Sequence, residues 1–172
     1  MPILEQIKLA QLTLIPVDQD TSPLFFSEAQ KPELFDELGF KAMPTRPKLE
    51  QFLKDGRLQV WLVKKAQNNA DVGFAGFVGY DGPPYVFFYL QEFNVDLIQE
   101  TIVGLACYYF KTTTEPTLFL FLPVDDANEH EDIISEAGFD RLDELPTMTN
   151  SEETAFVMER ATYLSYYSGD EN

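Results

Sequence analysis

The sequence predicts an α+β fold, a mixed and mostly antiparallel sheet flanked by helices, and three observations carry that prediction. Residues 58–63, 72–80 and 85–93 read as three successive strands, the first two joined through Gln67-Asn68-Asn69 and the last two through Asp81-Gly82, a strong two-residue hairpin signal. Residues 96–111 then place Leu97, Ile98, Thr101, Ile102, Leu105 and Phe110 on one side of a helix, with Lys111 near the C-terminus where the helix dipole favours a cation. Finally, the continuous apolar run 118–122 reads as a strand buried on both faces, ended by Pro123.

The other elements follow in order. Residues 8–17 alternate as a strand. Residues 18–30 and 32–54 have helical spacing, broken by Gly39 and by Pro44 and Pro47, and predict two helices. A short helix must follow Pro123: Asp125 or Asp126 is its expected cap, Ile133, Ile134 and Ala137 its buried stripe, and Gly138 its left-handed stop before Phe139 docks on the sheet. A short strand at 140–142, a loop with Pro146 and a last strand over 154–164 complete the chain.

The 172 residues, 45% of them hydrophobic, suit one domain spanning 1–172. No apolar stretch reaches the length of a membrane span, and the N-terminus, with Glu5 and no long apolar run, lacks the pattern of a signal peptide, so a cytoplasmic protein is expected. The single cysteine, Cys107, forms no internal disulfide and is expected to be inert core. There is no Cys/His metal cluster and no Walker-type loop, which disfavours metal and nucleotide enzymes.

Charge is unevenly placed. Residues 1–90 hold eleven acids and nine bases, whereas 91–172 hold eighteen acids against Lys111, Arg141 and Arg160, out of a net −17. Two readings stand: a solvated face that aids solubility, or a field that concentrates a cationic small molecule or a basic protein surface. Either one repels phosphates, so nucleic acid is not an expected partner.

The strand 118–122, the acidic positions after it, the short helix and the Ala137-Gly138-Phe139 ending resemble the second half of the GCN5-related N-acetyltransferase (GNAT) superfamily. The order of elements matches that superfamily over about the whole chain. The resemblance implies a GNAT-like (acyl-CoA N-acyltransferase) fold, with a coenzyme A pyrophosphate site in an Arg/Gln-x-x-Gly-x-Gly/Ala turn before the long helix. Here that region is Tyr89, Leu90, Gln91, Glu92, Phe93 and Asn94, the cofactor-binding positions that the resemblance assigns.

The turn departs from the pattern. Matching the helix stripe puts Glu92 and Asn94 at the glycine positions, while matching Gln91 to the leading residue puts Asn94 and Asp96 there; no glycine occurs between Gly82 and Gly104. Either register sets a carboxylate where the pyrophosphate would lie. Two unit charges at about 4 Å repel by about 4 kcal/mol at an effective dielectric of 20, enough to offset several backbone hydrogen bonds. Asp96 also reads as the cap of the helix. The expectation is a degenerate acyl-CoA site with no bound cofactor, in a weak or non-catalytic homologue that acts as a binding or interaction module. The alternative is an active acetyl-CoA-dependent N-acetyltransferase acting on a cationic amine, with strand backbone around 90–93 holding the pantetheine amides.

No catalytic residue is assigned. Ser135 stands where members often carry a tyrosine that protonates the leaving thiolate, and Asn128 is read as a residue of the helix's N-terminal turn. His130, between Glu129 and Glu131, is expected to be a solvated surface residue. Glu92 is a candidate base through a water, with a plain strand-end carboxylate as the competing reading. Tyr85 and Tyr89, which share a strand face with Phe87 between them, read as packed rings. The strands 85–93 and 117–122 are expected to diverge at their C-terminal ends, with Tyr89 or Phe93 filling the gap.

Overall fold

A computed structural model describes residues 4–18, 20–40, 42–80, 83–91, 94–142 and 153–167. The first strand of the sequence reading is two short ones, β1 (Ile7–Lys8) and β2 (Leu12–Pro16), folded back through a turn in which the Leu9 N–H donates to the Leu12 carbonyl at 2.8 Å. The helical region holds three helices rather than two: α1 (Ser22–Glu28), α2 (Pro32–Glu37) and α3 (Arg46–Asp55). Each has a proline in its first turn, where the missing N–H costs nothing, and these prolines set the boundaries.

The meander is β3 (Leu58–Lys65), β4 (Asp71–Val78) and β5 (Tyr85–Leu90), all antiparallel. Asp81-Gly82 lies outside the described residues. The long helix, α4 (Val95–Thr112), buries nine residues from Leu97 to Phe110. Next come β6 (Thr117–Pro123), α5 (Val124–Ala137), β7 (Asp140–Arg141) and β8 (Glu153–Glu159). Gly138 ends α5 at φ 109°, as its left-handed role requires, and Phe139 is buried behind it.

The chain does not end as one long strand over 154–164. Strand β8 stops at Glu159 and helix α6 (Arg160–Tyr167) follows. Arg160 is the physical reason: its guanidinium donates to the carbonyls of Phe110, Thr113 and Glu115, which pulls the chain away from the sheet and over the end of α4. Tyr163 then stacks on Phe110 with ring centroids 5.1 Å apart.

The eight strands form one sheet in the order β1-β2-β3-β4-β5-β6-β8-β7. Every neighbouring pair is antiparallel except β5 and β6, so the sheet is mixed and mostly antiparallel, as expected. One core, around Trp61, Ile102 and Leu120, fills the face under α4, α5 and α6, and a second, around Phe25, Leu49 and Phe87, fills the face under α1, α2 and α3. Tyr85, Phe87 and Tyr89 share the second face, as their period of two requires.

Candidate functional site

The site is built where the sheet stops being continuous. Strands β5 and β6 pair at only Tyr85↔Phe119 and Val86↔Leu120, whereas β5 stays paired to β4 up to Gly73↔Leu90 and β6 stays paired to β8 up to Pro123↔Glu153. Beyond Val86 the two strands therefore follow different neighbours and diverge, as the sequence reading expected. Gly73 allows β5 to lie this close to β4. Its φ is 156°, and a Cβ there would stand 1.9 Å from the Tyr89 carbonyl oxygen. The Gln91 N–H extends the pairing to the Val72 carbonyl at 2.7 Å.

Of the positions assigned to the cofactor, Tyr89 packs half-buried against the α1–α3 core, Leu90 packs against the opposite core, and Gln91 is exposed. Glu92 and Phe93 lie outside the described residues. The rings that meet across the closed end of the gap are Tyr85 and Phe121, centroids 5.2 Å apart, with Phe119 stacked on Phe121 at 6.1 Å.

Asn94, not Asp96, caps α4. The Asn94 Oδ1 accepts from the backbone N–H groups of Asp96 at 2.9 Å and Leu97 at 3.4 Å, and Asp96 is an exposed residue of the first turn. The helix begins one residue earlier than its apolar stripe suggests, because Val95 is its first residue while exposed. Free N–H groups at a helix start are what an anion binds there. Two of these are already taken by the chain's own amide, with a carboxylate beside them. Among the described residues, a pyrophosphate at this helix start would compete with the Asn94 cap and meet the Asp96 carboxylate.

The other helix start also differs from expectation. Neither Asp125 nor Asp126 caps α5; Pro123 holds the N-cap position with no side-chain hydrogen bond, and both aspartates sit in the first turn, where the dipole favours them. Asn128 lies farther along α5 and accepts from Arg141 at 3.1 Å. Ser135 is exposed.

His130 is not on the surface. It is 7% exposed, because Ala127, His130, Ile134 and Ala137 form the buried stripe of α5, and its Nε2 lies 3.9 Å from a Glu129 carboxylate oxygen. Cys107 is half-buried against the α4 core rather than fully inside it.

Sequence reasoning missed a group of carboxylates beside the splay. Burial, together with Glu153, Asp126 and Asp36, pushes the Glu37 carboxyl up to about 7. Burial also raises Glu153, and burial with Glu153 and Glu37 pushes the Tyr85 phenol up. Thus the end of α2, the start of α5, the start of β8 and the first residue of β5 converge electrostatically on one region. Gly39 explains the approach of α2: at φ 81°, with any Cβ 2.8 Å from the Tyr85 hydroxyl, it lets the chain after Glu37 press onto β5. Gly39 was the available signal, but the strand that it would press against was not legible. Chemically, a carboxyl poised near neutrality among others attracts a cation and serves as a proton acceptor. Among the described residues no group of three or more His, Cys, Asp or Glu is arranged to hold a metal ion. No helix among them is long and apolar enough to cross a membrane.

No family model matches the chain, and no curated protein sequence does. Solved structures do. An acetyltransferase from Agrobacterium tumefaciens str. C58 superposes with a TM-score of 0.67 at 13% identity, covering 92% of this chain and 96% of that one. RimL, a ribosomal L7/L12 alpha-N-protein acetyltransferase in complex with coenzyme A, gives 0.64 at 12% identity, with coverage of 90% and 98%. Spermidine N-acetyltransferase from Vibrio cholerae, in complex with CoA and spermine, gives 0.63 at 15% identity, with coverage of 91% and 99%. The splayed mixed sheet, its order of elements and these superpositions together show that this chain has the GNAT acetyltransferase fold.

Proposed function

We propose that this protein is a binding module for a cationic amine, built on the acetyltransferase fold with its coenzyme end closed off. The observation that supports the reading is Asn94, which takes up the N–H groups of Asp96 and Leu97 beside the Asp96 carboxylate, at the helix start where a pyrophosphate would sit. The amine is inferred from Glu37, Glu153 and Asp126 at the other side of the splay, and from the spermine in the Vibrio structure. The acidic C-terminal half favours the same ligand class, and a basic protein surface is the larger variant of it.

Calorimetric titration with spermine, beside thermal melts and thiol-release assays with acetyl-CoA, tests the proposal. Saturable spermine binding is expected to weaken in Glu37→Gln, while acetyl-CoA neither raises the melting temperature nor yields free thiol. A ligand that binds the native state must stabilise it, so the melt is decisive for the coenzyme. The second reading is an acetyl-CoA-dependent N-acetyltransferase, favoured by the near-neutral Glu37, which suits a base acting on an ammonium. Saturable acetyl transfer to spermine would replace the first reading with the second.

A further inference from the structure

Glu37 is turned toward the sheet by its place in α2. It stands three residues after Leu34 and just before Leu38, both fully buried, so helical phase sets its side chain on the packed side, where it is half-buried. The strands bring their own groups to the same side. Tyr85 pairs with Phe119, and the period of two puts Phe119, Phe121 and Pro123 on one face of β6, opposite the face that Leu118, Leu120 and Leu122 bury. Glu153 pairs with Pro123 and therefore stands on the Tyr85 face, at the open end of the splay.

The convergence is one-signed. Besides burial, the groups acting on Glu37 are Glu153 on β8, Asp126 on α5 and Asp36 on its own helix, and Glu37 acts in turn on the Tyr85 phenol of β5; no lysine or arginine is one of them among the described residues. The ground behind Tyr85 is dry. Phe40, Phe52 and Tyr80 pack ring against ring with centroids 4.4–6.0 Å apart, and the Tyr80 hydroxyl is buried with no hydrogen-bond partner. A carboxylate gains no hydration from that side, so the empty site keeps Glu37 as the neutral acid up to about 7.

We propose that amine binding at this cluster is a cation-for-proton exchange: an ammonium group takes its place beside Glu37 and Glu153 as the Glu37 carboxylic acid releases its proton to solvent. The exchange rests on the cationic-amine reading above and adds the regulation of that site. Neutral acid and bound ammonium exclude each other, because only the carboxylate attracts the ammonium, and only the ammonium offsets the charges of Glu153 and Asp126. One positive charge enters the site and one leaves it. By linkage the amine is held above neutrality and let go below it.

The test is calorimetric titration of the full chain with putrescine, whose two ammonium groups stay protonated throughout, at pH 6 and pH 8 in two buffers of different ionisation enthalpy. A carboxyl titrating at about 7 is about one-tenth ionised at pH 6 and about nine-tenths at pH 8, so affinity is expected to rise about tenfold between them. Close to one proton should be released per bound amine at pH 6 and close to none at pH 8. Glu37→Gln substitutes a neutral isostere for the neutral acid that the fold already holds, and its affinity should be weaker at pH 8 and no longer change with pH. Glu153→Gln removes a like charge, so it should move the midpoint to lower pH and shrink the difference between the two titrations, a shift that a merely structural role would not produce. Absence of saturable binding at pH 8 overturns the amine reading together with the exchange. Saturable binding of equal strength at both pH values, or a pH dependence that survives Glu37→Gln, leaves the amine reading standing and overturns the exchange alone.

Discussion

Opening the start of α4 should restore affinity for coenzyme A. The perturbation is Asn94→Gly with Asp96→Asn, which frees the N–H groups of Asp96 and Leu97 and removes the adjacent charge. Asp96 is exposed, so its field is that of a charge near water: about 1 kcal/mol per unit charge at about 4 Å, and about 2 kcal/mol against a doubly charged pyrophosphate. Screening at physiological salt reduces this to roughly half. The freed amides add charge-assisted hydrogen bonds of about 1.5 kcal/mol or more each. A gain of at least about tenfold in affinity is expected, larger at low salt. The cost is small, because glycine replaces an asparagine cap at a few tenths of a kcal/mol, and nine buried residues hold α4 in place regardless. The melting temperature should fall by only about 1–2 °C. Calorimetry with coenzyme A at two salt concentrations reads the effect. An unchanged affinity in a folded double variant would refute the reasoning, and the block would then have to lie elsewhere in the cleft.

Three further outcomes are expected. Glu37 has a native pKa raised from 4.5 to about 7, so the native state holds its proton more tightly than the unfolded chain does, and stability should decline as pH rises from about 4.5 to about 7 and then level off. Glu37→Gln should therefore match wild type in urea melts at pH 4 and exceed it at pH 8 by up to about 3 kcal/mol; equal stability at pH 8 would contradict the burial of the carboxyl. Arg160→Gln should cost about 2–4 kcal/mol, because three carbonyls around the end of α4 lose a charged donor, and calorimetric melting checks it. Gly73→Ala should prevent accumulation of folded protein, since its Cβ would collide with the β5 backbone, and a native-like amide NMR spectrum would show that the close approach is not needed.

The sheet and the long helix were legible in the sequence because their signals are local: alternation in the meander, a 3.6-residue stripe in α4, and Gly138 after Ala137. What escaped depends on contacts between distant segments. Strand propensity continues through Tyr163, and only the carbonyls that Arg160 meets, about fifty residues away, turn the chain into α6. His130 looked solvated between two glutamates, yet helical phase outweighs its neighbours in sequence and turns it inward beside Ile134. At the α4 start the sequence made Asp96 the cap, whereas Asn94 takes that place because the helix already counts Val95 as its first residue. Glu37 carries no motif at all. It becomes distinctive only because Glu153 and Asp126, more than eighty residues later, are brought into its field.

The divergence of β5 from β6 does not require a coenzyme. Helix α4 leaves the end of β5, runs back across the sheet and delivers the chain to β6, burying Leu97, Ile98, Thr101, Ile102, Leu105 and Ala106 on the way. Burying each of its large aliphatic side chains contributes about 1.5–3 kcal/mol, so the crossing helix is held by far more than the hydrogen bonds that closing the sheet would add. Pairing of β5 with β4 through Leu90, and of β6 with β8 through Pro123, then fixes both sides of the gap independently of any ligand. Tyr85 and Phe121 close its lower end with ring contacts that need no strand pairing. The cleft is therefore a by-product of how the two halves of the sheet are joined, and it stands whether or not an anion is seated at the start of α4. Under the proposed function, the carboxylates that raise Glu37 at its edge act on a cation with or without a coenzyme opposite.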